Sequence, residues 1–356
     1  MTDNQKTFAP GVVALIGSGE TSSQGRSFFD HVMGKFAGAP AVAILETPAG
    51  FELNSHQVAG RIADFLRQHL QNYQPRVSVV PARKRGTTFS PDNPEIVAPV
   101  LEADLIFMGP GSPSYAVRQL RGSLAWQVLV ARQRLGAALV LASAAAIAFS
   151  AYALPVYEIY KVGQEPHWKP GLDFFGFYGL NLVLIPHWDN RDGGEGLDTS
   201  RCYIGKSRFA QLMEMLPPDV TVVGVDERTA LMLDLATGDA QVQGLGGVTI
   251  WRNQRARRFI AGDRLPLDVL GNVHFPKPDS DLPAGVWDQA LEILQRSAEV
   301  PAVPGQVEEL VAAREEARRL QEWSRADCLR ARILEMGWEI RDTPDGPQVL
   351  PQESSE

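Results

Sequence analysis

Ser143 stands where the run ALVLA from Ala138 stops and Ala144, Ala145 and Ala146 begin. A serine at a sharp strand-to-helix turn is lifted from the backbone at the C-terminal edge of a sheet, where its hydroxyl can serve as a nucleophile. Small neighbours let strand and helix pack closely, and the amide of Ala144 at the helix start offers one half of an oxyanion hole. On this segment alone, a small serine in an alanine-rich core is the competing account. A second donor would come from another loop at the same edge. DLIFMG from Asp104 ends in Gly109, Pro110, Gly111 and Ser112; Gly111 has an N–H to offer and Pro110 has none.

An activated serine needs a base. Of the six histidines (His31, His56, His69, His167, His187 and His274), His187 follows the apolar run LVLIP and opens the polar, glycine-rich loop HWDNRDGGEGLDTSR. His56 and His69 fall on amphipathic segments and read as surface residues. The carboxylate that would hold the imidazole tautomer is open among Glu158, Asp189, Asp226 and Glu227. Arg191, Arg201 and Lys206, in the loop after His187, are candidates for binding a substrate carboxylate, with a solvated face as the alternative. Cys202 and Cys328 lie far apart without metal-ligand spacing, and DNRDGGEGLD misses the register of a calcium loop, so neither a metal nor a cofactor is expected.

These groups need a frame to hold them. Five apolar runs, VVALIG from Val12, AVAILE from Ala41, VSVVP from Val77, DLIFMG and ALVLA, alternate with amphipathic stretches such as HQVAGRIADFLRQHL from His56. That alternation predicts an α/β fold, a doubly wound, mostly parallel sheet with flanking helices. After Leu182 the shorter runs LVLIP, TVVGV, TALMLD and VTIWR predict antiparallel edge strands. KPDSDLPAG from Lys277 and VPAVPG ending at Gly305 read as joints around a short helix, and 307–337 reads as helical with Gly337 as terminator. The division expected is an α/β domain over 1–276, a linker with a short helix over 277–305, and a small C-terminal helical module over 306–356.

Composition narrows the function classes. The 356 residues are 44% hydrophobic and 21% charged with a net charge of −8, too long a chain for one core and too acidic for a dedicated nucleic-acid or anionic-membrane binder. Between Arg134 and Glu158 lie 23 uncharged residues, long enough to span a bilayer. Their alanine, serine and proline content favours a buried strand turning into a buried helix, so no membrane association is expected. The polar start MTDNQKTFAP lacks a secretory pattern, and a cytoplasmic location is expected.

Five blocks occur in a recognisable order: LIGSGE near Gly17, FMGPGS near Gly109, LASAAA around Ser143, PHWDN around His187 and VVGVDERTAL around Asp226. Over about 12–270 the chain resembles the aspartyl dipeptidase (dipeptidase E) and cyanophycinase family of serine peptidases. The resemblance implies a fold similar to class I glutamine amidotransferases and metal-independent cleavage of short aspartyl or β-aspartyl peptides. It implies Ser143 as nucleophile, His187 as general base, Glu158 as the acid, and Gly111 and Ala144 as oxyanion amides, with Asp226 and Glu227 as alternative acids. Two positions depart from the family pattern, Ala145 and Pro110 each standing where glycine is usual. They set up the alternative of a catalytically silent peptidase fold.

The tail from about 306 to 347 resembles the C-terminal end of cysteinyl-tRNA synthetase, on Arg314, Arg318, Asp327, Arg330, Gly337, Asp342, Thr343 and Gly346. That implies a tRNA or a protein partner for the module, although its seven arginines face ten acidic residues. A small peptide is the expected substrate, and self-association into a homo-oligomer is left open.

Overall fold

The computed structural model describes residues 8–352 apart from 37, 299–302 and 344–345. Its strands are β1 (Val13–Ile16), β2 (Ala41–Leu45), β3 (Arg76–Val80), β4 (Leu105–Met108), β5 (Ala138–Ala142), β6 (Tyr152–Ala153), β7 (Lys169–Pro170), β8 (Leu182–Ile185), β9 (Thr221–Val225), β10 (Thr229–Asp234), β11 (Asp239–Gly244), β12 (Gly247–Arg252), β13 (Arg255–Ile260), β14 (Arg264–Pro266), β15 (Trp338–Thr343) and β16 (Gly346–Pro351). The α-helices are α1 (Ser23–Met33), α2 (Ser55–His69), α3 (Pro94–Glu102), α4 (Pro113–Leu120), α5 (Leu124–Arg134), α6 (Ala144–Ala148), α7 (Val156–Tyr160), α8 (Lys206–Glu214), α9 (Ala284–Ala298), α10 (Gly305–Arg319) and α11 (Trp323–Glu335).

The main sheet has eight strands in the order β14-β11-β10-β1-β5-β4-β2-β3. Strands β1 to β5 are parallel to their neighbours, and β10, β11 and β14 extend the β1 side antiparallel. Successive side chains in a strand face opposite sides, so each apolar run feeds two cores. Val13, Leu15, Leu139, Leu141, Ile106 and Met108 join one core with α3, α4, α5 and α6. Ala14, Ile16, Val140, Ala142 and Phe107 join the other with Phe28, Phe29, Ile62 and Leu66 of α1 and α2. This explains why the runs are apolar throughout and not alternating.

Chain order supplies the positioning. From β1 the strands step outward to β2 and the edge strand β3, then return through β4 to β5 beside β1. The C-terminal ends of β4 and β5 therefore lie side by side, which is where open α/β sheets place their sites. The uncharged stretch becomes β5, α6 and β6, and among the described residues no helix is long and apolar enough to cross a membrane.

Three expectations need correction. LVLIP and TVVGV form β8 and β9, which pair parallel in a separate four-stranded sheet, β13-β12-β9-β8, and are not antiparallel edge strands. Their residues are buried on both faces, so they face the core that also covers β1 and β5. The helix assigned to a linker, α9, packs Val286, Trp287 and Ala290 into that same core. The adjoining joint residues 300–302 lie outside the described residues. The tail is not helical throughout: the chain breaks at Leu320–Glu322, with Gln321 at φ +60°, and after Gly337 it turns into the hairpin β15–β16. Val307, Val311, Ile333, Trp338 and Ile340 make a core of their own there, and Arg314 donates twice to Asp342, at 2.8 and 2.9 Å.

Candidate active site

Strand β5 carries Ser143 to its C-terminal end, where the chain must reverse into α6. The reversal is sharp: Ser143 takes φ 52° and ψ −117°, a conformation that costs a non-glycine residue of order 1–3 kcal/mol. Its hydroxyl lies 3.0 Å from Nε2 of His187. Ala145, the residue that replaces glycine in the family pattern, is fully buried behind the elbow, and the serine–histidine contact forms with its methyl group in place.

His187 follows β8 and also has positive φ, 51°. Its Nδ1 lies 3.2 Å from Glu227 Oε1, and Asn190 Nδ2 donates to the same oxygen at 2.8 Å. The hydrogen bond from His187, then that from Asn190, outweigh burial and hold the Glu227 carboxyl below its ordinary range. An ionised carboxylate only accepts, so Nδ1 carries the proton and Nε2 of the neutral ring is left to accept from Ser143. The three side chains form one relay, each contact within hydrogen-bond reach.

Glu227 is placed from three sides. Its own amide donates to Asp189 Oδ1 at 2.8 Å, Arg228 N donates to Ser18 Oγ at 3.2 Å, and Gly17 N donates to Thr229 O at 2.9 Å. A Cβ at Gly17 would stand 2.0 Å from the Asp226 carbonyl oxygen, so only glycine lets the end of β1 meet the loop that bears the acid. That accounts for the LIGSGE block near the start of the chain.

Glu158, expected as the acid, is not beside His187. It accepts from Lys169 Nζ at 2.6 Å; burial is the largest single influence and opposes its ionisation, but the hydrogen bond and charge of Lys169 together with smaller hydrogen bonds outweigh it, leaving the carboxyl below its usual range. Short α7 sets it against Lys169 of β7. Asp226 is also turned away: it is 1% exposed and accepts from Gly247 N at 2.8 Å and Arg258 Nη2 at 2.5 Å. β9 ends at Val225 and Glu227 lies in the tight turn before β10, so Asp226 is held inward by Gly247 and Arg258 while of the pair only Glu227 reaches the histidine.

Ser143 and His187 open into a cavity of about 480 Å³ whose walls include Gly111, Ala144, Tyr157, Tyr160, Lys161 and Tyr203. Gly111 (φ +146°) sits against β2's following turn; a Cβ there would lie 2.0 Å from Pro48 O. Gly111→Ala is therefore expected to displace the loop that carries one candidate oxyanion amide, lowering kcat about 10²-fold or more with a folded protein by circular dichroism.

None of the three basic residues expected to bind substrate lines this cavity. Arg201 lays its guanidinium 3.8 Å over the Trp188 ring and donates to Trp188 O at 2.8 Å. Lys206 is exposed and begins α8, and Arg191 is exposed on the glycine-rich loop. Lys161, which does line it, was missed, as were Tyr157, Tyr160, Tyr203 and Asn190. The aromatic residues left a trace in VYEIY, where Tyr157 and Tyr160 fall one helical turn apart.

Three consecutive residues, Arg201, Cys202 and Tyr203, have φ of 60°, 58° and 69°. Arg201 N and Cys202 N donate to Trp188 O and His187 O at 3.0 and 3.1 Å, fastening this turn to the histidine's own segment. Tyr203 ends with its ring centroid 5.8 Å from that of His187 and its hydroxyl donating to Asp192 at 2.8 Å. The Cys202 thiol is wholly buried, which pushes it up to about 12, so it is no rival nucleophile.

The chain has an α/β fold with an added C-terminal module, and its elbow sets a serine hydroxyl against a histidine ring. A crystal structure of a peptidase from an acI-B1 actinobacterium has this fold, with a TM-score of 0.59 and 24% identity over 73% of this chain and 98% of that one. A family model described as the cysteinyl-tRNA ligase anticodon binding domain matches residues 300–349. Curated cysteine–tRNA ligases are similar over short stretches: that of Chlamydia pneumoniae is 42% identical over 87 residues, 23% of this chain and 18% of the ligase. That of Rubrobacter xylanophilus is 57% identical over 44 residues, 12% of this chain and 9% of the ligase. The chain thus spans less than a fifth of those ligases.

Proposed function

We propose that this chain is a serine hydrolase that cleaves an amide bond in short peptides, with Ser143, His187 and Glu227 as its relay. The observation that supports it most is the continuous contact from Ser143 Oγ through the His187 ring to Glu227, at 3.0 and 3.2 Å, on an elbow held at positive φ. Ser143 Oγ attacks the carbonyl carbon while His187 Nε2 takes its proton. The negative charge on the carbonyl oxygen is met by the amides of Gly111 and Ala144. Collapse breaks the C–N bond, and His187 returns the proton to the leaving nitrogen. Water, deprotonated by His187, then attacks the acyl-serine and regenerates the hydroxyl. Aspartyl and β-aspartyl dipeptides, which the family resemblance implies, are the first substrates to assay. Labelling by a fluorophosphonate probe tests the reading: wild type is labelled, Ser143→Ala is not, and labelling indifferent to that change overturns it.

A second reading concerns the module alone. Its match to an anticodon-binding domain coincides with a Trp323 that is 59% exposed at the turn between α10 and α11, beside Arg325. An exposed indole suits stacking on an unpaired base. Full-length protein is expected to shift a tRNA in native gels, deletion of 304–356 to abolish the shift, and Trp323→Ala to weaken it about tenfold. Absence of any shift by the full chain leaves a protein partner for this face.

A further inference from the structure

The cleft wall beyond the reacting groups carries an aromatic shelf. From His187 the rings of Tyr203 and Tyr160 follow in sequence, with centroid separations of 5.8 and 5.5 Å and interplanar angles of 53° and 41°. Tyr203 is fixed at both ends, by its hydroxyl on Asp192 and by its backbone N–H on Thr199 O at 2.8 Å. Ile147 and Val156 complete an apolar lining around the shelf. At the rim stands Lys161, its Nζ 5.5 Å from the Tyr157 ring centroid. Among the described residues that line the cavity it is the one lysine or arginine, no aspartate or glutamate lines it, and no acidic group pairs with it.

We infer that the cleft selects a short peptide with an aromatic side chain next to the scissile bond and a free terminal carboxylate, the ring lying on the Tyr160–Tyr203 shelf and the carboxylate meeting Lys161. This rests on the hydrolase reading above and adds the side-chain preference. A planar ring gains offset or edge contacts on such a shelf, which aliphatic side chains do not. An aromatic shelf also suits a cation, but the nearby carboxylates Asp192 and Glu227 are taken up by hydrogen bonds from Tyr203 and His187 and do not line the cavity, whereas the Lys161 ammonium does, so an anionic ligand is favoured. One ammonium meets one carboxylate. An aspartyl residue at the reacting centre would therefore draw no second charge partner from the lining, whereas an aromatic neighbour is served by four of its residues.

The test compares aspartyl-phenylalanine, aspartyl-alanine, aspartyl-arginine and aspartyl-phenylalanine amide, each as the α- and the β-linked form. It measures kcat/KM with wild type and equilibrium binding by calorimetry with Ser143→Ala, so that affinity is read even where turnover is slow. Phenylalanine is expected to exceed alanine and arginine at least about tenfold, and the free acid to exceed the amide about tenfold. Lys161→Met should bring acid and amide within about threefold while the phenylalanine preference persists, and Lys161→Arg should restore the discrimination. Equal binding of the phenylalanine and alanine peptides, or preference for arginine, overturns the inference while fluorophosphonate labelling of Ser143 still stands. Loss of labelling instead overturns the hydrolase reading on which it rests.

Discussion

Ser143→Ala is expected to lower kcat/KM for any cleaved peptide by about four to six orders of magnitude while leaving peptide binding within a few-fold. The loss is that large because the hydroxyl is the group that forms the new bond, and no other side chain lining the cavity can replace it. Cys202, the nearest alternative, is buried with its thiol held protonated. Alanine at φ 52° bears the same backbone strain as serine, so the substitution is expected to cost no more than the about 1 kcal/mol of one lost hydroxyl hydrogen bond; a large fall in melting temperature accompanied by loss of binding would assign the serine to the core instead. Single-turnover kinetics with a chromogenic ester separates the acylation step from product release and reads the change directly.

Glu227→Gln is expected to lower kcat about 10³- to 10⁴-fold, and Glu158→Gln to leave it within about threefold. The amide at 227 keeps the shape but removes the charge that stabilises the protonated imidazole, and it can hold the ring in the wrong tautomer. Glu158 instead serves Lys169, so its replacement should appear as lost stability of about 1–3 kcal/mol and a modest rise in KM through α7, whose Tyr157 and Tyr160 line the cleft. A reversal of the two effects on kcat would return the acid's role to Glu158. The pH dependence has a defined sign. The carboxyl of Glu227 is held below its ordinary value of 4.5, chiefly by His187, so its contribution to folding is full above about pH 4.5 and is lost as pH falls through the lowered value. The melting-temperature gap between wild type and Glu227→Gln should accordingly be wide at neutral pH and close in acid.

The frame and half of the site could be read without coordinates because they depend on local rules. Buried parallel strands are apolar runs, so a serine directly after one of them stands at the end of the sheet, as does the glycine loop after β4. That marks Ser143, Ala144 and Gly111 as candidates, and the polar loop after another apolar run marks His187. The acid could not be read the same way. Glu227 reaches His187 only because β8 and β9 pair parallel in a second sheet, bringing the ends of two strands together across 40 residues of chain. Asp226 and Glu227 are both carboxylates in the sequence and are separated by the turn that follows β9 and by Gly247 and Arg258, which claim the first of them. The basic residues failed for a related reason. Arg201 has the right charge and the right loop, but a flat guanidinium finds an indole face before it finds a substrate. In the tail, β16 opens with Gly346 at φ +119°, a signal overshadowed by the strongly helical segment before it.

The turn through Arg201, Cys202 and Tyr203 winds against the natural hand of an L-amino-acid chain, at roughly 1–2 kcal/mol for each residue. What offsets that cost is the grip on the neighbouring backbone, the oxygens of His187 and Trp188 and the indole face beneath Arg201, so a residue outside the cavity lining helps to set where Tyr203 stands beside the histidine ring.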